Sequence, residues 1–300
     1  MRTESAFPRP SCKVLELVRW ATDYLTGRGI ENARLDVERM LASTLGTDRV
    51  GLYLQFDRPL TAEELSDFRS LLERRAQREP LAYILGEWEF FGLPLRVDRR
   101  ALIPRPETER LVEVCLSRVD RHMAIRFVDL GTGCGNIAAA LAANCPEAVG
   151  WAFDISKEAA RLARENLHLL GVGERICVAV ADMRKCPLRI AGEESGLDLV
   201  VSNPPYVRPE DWPTLQQEIV RYEPRDALVA EPDGLAYYRA IARVAKHTLR
   251  RGGMVAVEIG ADQAGEVTRI LQDQGLTCVE VHKDLAGRDR VVTARRGEQG

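Results

Sequence analysis

The sequence predicts an α/β fold: a seven-stranded, mostly parallel sheet with helices on its faces, preceded by an N-terminal helical bundle. Three observations predict it. From Arg126 onward, apolar runs of strand length alternate with amphipathic segments of helical period, the pattern of βαβ units. The first of those runs leads straight into a glycine-rich turn, Asp129-Leu130-Gly131-Thr132-Gly133-Cys134-Gly135. The last two runs are joined only by Lys283–Asp289. That is too short for a parallel crossover, so they close the sheet as an antiparallel hairpin.

The elements follow in order. Lys13–Thr26 carries Val14, Leu17, Val18, Ala21 and Leu25 at helical spacing, and Gly27 and Gly29 stop it. Ala33–Leu45 is a second helix, ended by Gly46, and Ala62–Arg78 a third, with Leu65, Phe68, Leu71 and Leu72 inward. No strand pattern interrupts them, so residues 1–78 read as a helical domain. Residues 79–104 change character: Trp88, Phe90, Phe91, Leu93, Leu95 and Val97 alternate around Gly92 and Pro94, as in a hairpin or extended linker. Residues 105–300 read as the second domain. It opens with a helix, Glu107–Val119, whose first turn holds acidic residues favoured by the helix dipole. Strands then fall at Phe127–Leu130, Val149–Phe153, Ile176–Val180, Leu197–Val201, Met254–Ile259, Thr277–Val281 and Arg290–Ala294. The helices between them are Asn136–Ala143, Lys157–Leu170, Leu235–Leu249 and Gln263–Gln274.

Composition narrows the function. At 300 residues, 45% apolar and 29% charged, the chain can build one large or two modest cores. A net charge of −3 without a basic run offers no field for nucleic acid or for a membrane surface. No stretch approaches membrane-spanning length, and Met1–Ser11 lacks the apolar centre of a signal peptide, so a cytoplasmic location is expected. Cys12, Cys115, Cys134, Cys145, Cys177, Cys186 and Cys278 are scattered and never in CxxC spacing. Reduced thiols and no metal site are expected.

Two segments carry chemistry. The glycines Gly131, Gly133 and Gly135, with Thr132 and Cys134 between them, let the backbone lie against a ligand where a side chain would collide. Asp154 closes the next strand, placed to accept from ribose hydroxyls. Asp182 and Met183 follow the third strand, an acid for an adenine amine and a side chain to cover its ring. Dinucleotide loops are usually spaced GxGxxG for a pyrophosphate. Here the spacing is GxGxG behind Asp129, an acid unwelcome beside pyrophosphate but useful near an ammonium. S-adenosylmethionine is therefore favoured over NAD.

The second segment is Asn203-Pro204-Pro205-Tyr206, directly after the buried run Leu197–Val201. Two prolines hold the backbone extended and remove donors. The Asn203 side-chain oxygen and the Pro204 carbonyl are left as acceptors, with the Tyr206 ring beside them. A planar NH2-bearing group suits that site. Phe90 or Phe91 could form a second wall, and Arg105 with Glu107 either shapes the pocket mouth or, the favoured reading, makes a helix cap with a surface ion pair.

Over nearly its whole length the chain resembles the HemK/PrmC family, methyltransferases of the glutamine amide in peptide chain release factors. The resemblance rests on Ala33-Arg34-Leu35-Asp36, Glu79–Gly86, Ile103–Glu109, Asp129–Gly135, Ser202–Tyr206, Tyr222-Glu223-Pro224 and Lys283–Arg290. Cys134 and the stretch Ala230–Asp233 depart from the family pattern. The resemblance implies a class I S-adenosylmethionine-dependent methyltransferase sheet behind a helical substrate-docking domain. It implies that Gly131–Gly135, Asp154, Met183 and Asn203 contact the cofactor, and that Asn203, Pro204, Pro205 and Tyr206 grip the substrate glutamine. Asn-Pro-Pro-Tyr alone is shared with amino-methyltransferases of nucleic acids.

Overall fold

A computed structural model describes residues 7–185 and 196–297. They form two compact units, one of Met1–Gly86 with Gln216–Tyr222, the other of Glu87–Leu215 with Glu223–Gly300.

The first unit is helical: α1 (Val14–Thr26), α2 (Ala33–Thr44), α3 (Arg49–Leu54), α4 (Ala62–Ala76), α5 (Leu81–Leu85) and, from far along the chain, α9 (Gln217–Tyr222). The apolar stripe of α1 is buried as its period requires, at Val14, Leu17, Val18, Ala21 and Leu25. Thr61 and Glu64 start α4 with reciprocal side-chain bonds to each other's backbone N–H. Asp36 of the Ala33–Asp36 motif takes Arg75 Nε at 2.7 Å. Arg75 and Arg78 also reach Glu218 of α9, at 3.4 and 3.3 Å. Tyr222 donates its hydroxyl to the Gln77 carbonyl. Helix α5 falls in the stretch expected to be extended. Five residues make little more than one turn, too few to show a period, although Leu81, Ala82, Tyr83 and Ile84 are all buried.

The second unit begins with an antiparallel hairpin of β1 (Glu87–Phe90) and β2 (Leu93–Arg96). It continues through α6 (Pro106–Arg118), β3 (Arg126–Leu130), α7 (Asn136–Asn144), β4 (Val149–Asp154), α8 (Lys157–Leu169), β5 (Ile176–Val180) and β6 (Leu197–Ser202). After α9 come α10 (Ala236–Thr248), β7 (Leu249–Glu258), α11 (Ala264–Asp273), β8 (Leu276–Lys283) and β9 (Asp289–Arg296). The seven-stranded sheet runs β5-β4-β3-β6-β7-β9-β8. Its first five strands are parallel, and β9 pairs antiparallel with both β7 and β8.

Strand residues point alternately to the two faces. Phe127, Leu199, Val201, Met254 and Ala256 pack under α6, α7 and α8. Val128, Leu130, Val200, Val255 and Val257 pack against α10 and α11. Gly150 is the neighbour that Phe127 needs, since a Cβ there would stand 2.4 Å from the ring. The strand order reverses between β4 and β6 around β3, so a crevice opens at the carboxyl ends of those strands, where open α/β sheets bind ligands. Among the described residues no helix is long and apolar enough to cross a membrane. Cys186 lies outside the described residues.

Candidate functional site

A cavity of about 200 Å³ opens at those carboxyl ends. Its wall includes Gly131, Thr132, Gly133 and Cys134 after β3, Asp154 after β4, Asp182 and Met183 after β5, and Asn203 and Pro205 after β6. Ala101–Arg105, Thr108, Asp226 and Tyr237 also line it.

Gly131, Gly133 and Gly135 all have positive φ, between 56° and 85°. A Cβ on Gly131 would stand 3.2 Å from Met183 Cε, so the bare loop and the methionine face each other closely. Gly135 stands behind the loop and caps α7, packed on Ala163. Asp154 accepts the Gly133 N–H at 2.9 Å and the Ser156 N–H at 2.8 Å, one on each oxygen. Each carboxylate oxygen keeps a second lone pair, enough for a vicinal diol. Asp182 is clasped by Arg184, whose Nε and Nη2 donate at 2.9 and 3.1 Å and whose backbone N–H adds a third bond. That pairing holds the Asp182 carboxyl below the usual range. Asp129 is fully buried and is not part of the wall. One of its oxygens accepts the Thr132 hydroxyl at 2.7 Å, and the other has no partner. Burial pushes its carboxyl up to about 7. The Cys134 thiol, likewise buried, is pushed up to about 12.

Asn203 is held by a residue the sequence reading did not single out. Its Nδ2 donates to Thr108 Oγ1 at 3.0 Å, and Thr108 donates in turn to Glu258 Oε2 at 2.6 Å. The Tyr206 hydroxyl lies 3.4 Å from the other Glu258 oxygen. Asn203 is half-buried, while Thr108 and Glu258 are about 1% exposed. With its NH2 spent on Thr108, Asn203 keeps its amide oxygen as an acceptor. Pro204 and Tyr206 are not on the cavity wall. The backbone just past the prolines is locked, because the N–H groups of Tyr206 and Val207 both donate to the Leu228 carbonyl. Gln263 donates to the Tyr206 carbonyl at 3.1 Å.

Phe90 belongs to the core, and Phe91 packs against it; neither reaches the cavity wall. Arg105 stands at the N-cap position of α6 without a side-chain capping bond, and its partner is the buried Glu223, not Glu107, which is exposed. Glu223 also accepts the Ile103 N–H, so one carboxylate fixes two points of the segment lining the cavity. Glu258 could have been found in the sequence, as an acid inside an apolar strand. Such a residue must be paired or neutral when buried. Thr108 gave no comparable signal.

The chain matches two family models, the PrmC N-terminal domain over residues 16–86 and the methyltransferase small domain over residues 109–231. It is 42% identical to the release factor glutamine methyltransferase of Geobacter sulfurreducens over 95% of this chain and 97% of that one. It is 41% identical to that of Chlorobaculum tepidum, over 92% of this chain and 95% of the other. Among solved structures, the hMettl16 catalytic domain aligns with a TM-score of 0.56 at 18% identity, covering 76% of this chain and 83% of that one. That likeness shows the shared sheet architecture.

Proposed function

The chain belongs to the family of release factor glutamine methyltransferases, and from that premise we propose that Asn203, on the cavity wall, and the adjoining Pro204 carbonyl receive the substrate amide. The protein is an S-adenosylmethionine-dependent methyltransferase acting on a glutamine side chain of a release factor. In our reading the acceptor is the glutamine of the factor's Gly-Gly-Gln loop, and the reaction takes place in the cytoplasm. The helical unit docks the factor. Its α3 leaves Val50 and Leu54 exposed, an apolar surface of the kind protein partners cover. The slightly acidic chain has no part in binding a phosphate backbone.

The cavity fits the cofactor: a side-chain-free loop, a carboxylate with lone pairs to spare at Asp154, and Met183 as a cover. When bound, S-adenosylmethionine supplies a methyl group on a cationic sulfur. The chain's own residues must then make an amide nitrogen nucleophilic, although its lone pair is delocalised into the carbonyl. Asn203 Oδ1 and the Pro204 carbonyl accept its two N–H groups. The nitrogen is drawn toward pyramidal geometry, which would free its lone pair for the methyl group that the cofactor supplies when bound, and the N–H groups are stabilised as positive charge develops on them. The proton then passes to water. No general base is invoked. On the cavity wall Asp154 has its remaining lone pairs assigned to the cofactor's diol and Asp182 is paired with Arg184, and Glu258 is screened from the cavity by Thr108.

The observation that carries this reading is the Asn203 amide, pinned by its nitrogen to Thr108. The test is methyl transfer to purified release factor, with RNA and DNA as parallel acceptors and tryptic mass spectrometry to locate the methyl. One added methylene on the Gly-Gly-Gln glutamine is expected. Label in nucleic acid, with none in the factor, would refute the assignment.

A further inference from the structure

We propose that Thr108 and Glu258 are positioning residues that select the amide orientation of Asn203, so that the charge on one buried carboxyl decides whether the active site offers the substrate an acceptor or a donor. This rests on the role of Asn203 proposed above.

A hydroxyl has one proton to give. At 2.6 Å from Glu258 Oε2, Thr108 gives it to the carboxylate, so only a lone pair of Thr108 is left to face Asn203. The only half of a primary amide that can meet a lone pair is the NH2, and it lies 3.0 Å away. The Asn203 oxygen must then face the other way. Turned over, the same side chain would present its own NH2 to the substrate's NH2, donor against donor. The two orientations have nearly the same shape, so packing does not choose between them and the hydrogen-bond chain does.

The chain reverses if Glu258 carries a proton. The acid then donates to Thr108, the Thr108 proton turns toward Asn203, and the partner it selects is the amide oxygen. Several groups surround the carboxyl. Tyr206 from the loop after β6 lies 3.4 Å from Oε1, and Tyr238 from α10 donates to the Glu258 carbonyl at 3.0 Å. Arg290 on β9 favours the charged form, and Glu107 on α6 opposes it. Burial dominates and pushes the carboxyl up to about 7. A group placed there changes charge within the working range of a cellular enzyme.

The test measures kcat at saturating cofactor and release factor across pH, with cofactor affinity from calorimetry, for the wild type, Thr108→Val, Thr108→Ser and Glu258→Gln. Wild-type kcat should rise through an apparent pKa of about 7 and then level. Thr108→Val should lower the plateau by about ten- to a hundredfold with cofactor affinity intact, since the amide is no longer held in one orientation. Thr108→Ser should recover most of that loss. Glu258→Gln can still turn its oxygen to Thr108, so it should keep turnover within about tenfold and lose the acid limb. Wild-type kcat in Thr108→Val, or an unchanged acid limb in Glu258→Gln, would overturn the proposal. The Glu258→Gln profile decides even if Thr108→Val folds poorly. An inactive wild type would instead refute the functional reading beneath it.

Discussion

The Arg105 guanidinium reaches from the N-terminal end of α6 to the carboxylate of Glu223, which is almost completely buried and holds the Ile103 N–H with its other oxygen. Arg105→Ala leaves that carboxylate with one hydrogen bond and no counter-charge. A cost of about 1–3 kcal/mol is expected from the unsatisfied buried acceptor. Because Ile103 and Arg105 both line the cavity, KM for the cofactor should rise as well. Thermal unfolding together with cofactor titration checks both, and an unchanged melting temperature would show that the pair is dispensable.

Asn203→Ala should abolish turnover while the cofactor site survives. Loss of one preorganised group in a transition-state site costs on the order of a hundredfold or more in kcat. Cofactor affinity should fall only modestly, since the glycine loop, Asp154 and Met183 are untouched. Single-turnover kinetics and calorimetry separate the two effects. Full activity in this variant would sink the positioning mechanism.

Gly131→Ala adds a methyl to a residue at φ 75°, where it would meet Met183 Cε at 3.2 Å. The left-handed backbone alone penalises an L-residue by about 1–2 kcal/mol. Cofactor binding should weaken by roughly tenfold, the equivalent of about 1.4 kcal/mol. Measured against Met183→Ala as the reference, the same glycine substitution should cost less, since the tight contact is gone and the backbone strain remains. No cost at all in the Met183→Ala background would assign the whole effect to the contact.

Stability should fall as pH rises from the ordinary carboxylate range toward neutrality. Burial raises Asp129 from its ordinary 3.8, and Glu258 from its ordinary 4.5, to about 7 in the folded protein. Between those ordinary values and about 7 the folded chain holds protons that the unfolded chain has released. The stabilisation is complete below the unfolded values and is lost as pH climbs through about 7. The melting temperature should drop between about pH 4.5 and pH 7 and level above that, and Asp129→Asn and Glu258→Gln should each flatten the drop. A profile identical in both variants and the wild type would contradict this.

Much of this was legible in the sequence because the signals were local. The sheet could be read from apolar runs of strand length alternating with helical segments, and Asn203–Tyr206 from two prolines that end one of those runs. The terminal hairpin followed from loop length alone. What escaped was set by partners distant in sequence. Helix α9 is six residues long and is held by Arg75 and Arg78, some 140 positions earlier. Thr108 matters only because Asn203 and Glu258, 95 and 150 positions away, converge on it. Strand β7 starts five residues earlier than its apolar run suggests, at Leu249 instead of Met254, since Gly252 and Gly253 gave no apolar signal there. Arg105 and Glu107 looked like a local ion pair, but the counter-charge comes from Glu223.

Strand β9 lies inside the sheet, between β7 and β8, although β8 precedes it in the chain. Until the β8–β9 hairpin docks, β7 is an open edge whose last six residues, Gly253 excepted, are apolar or acidic groups destined for burial. An unpaired edge of that kind invites pairing with another chain. Docking also brings Arg290 toward Glu258. Completion of the sheet and the electrostatic setting of the Glu258 carboxyl are therefore the same folding event, and a chain arrested before it would be prone to aggregate.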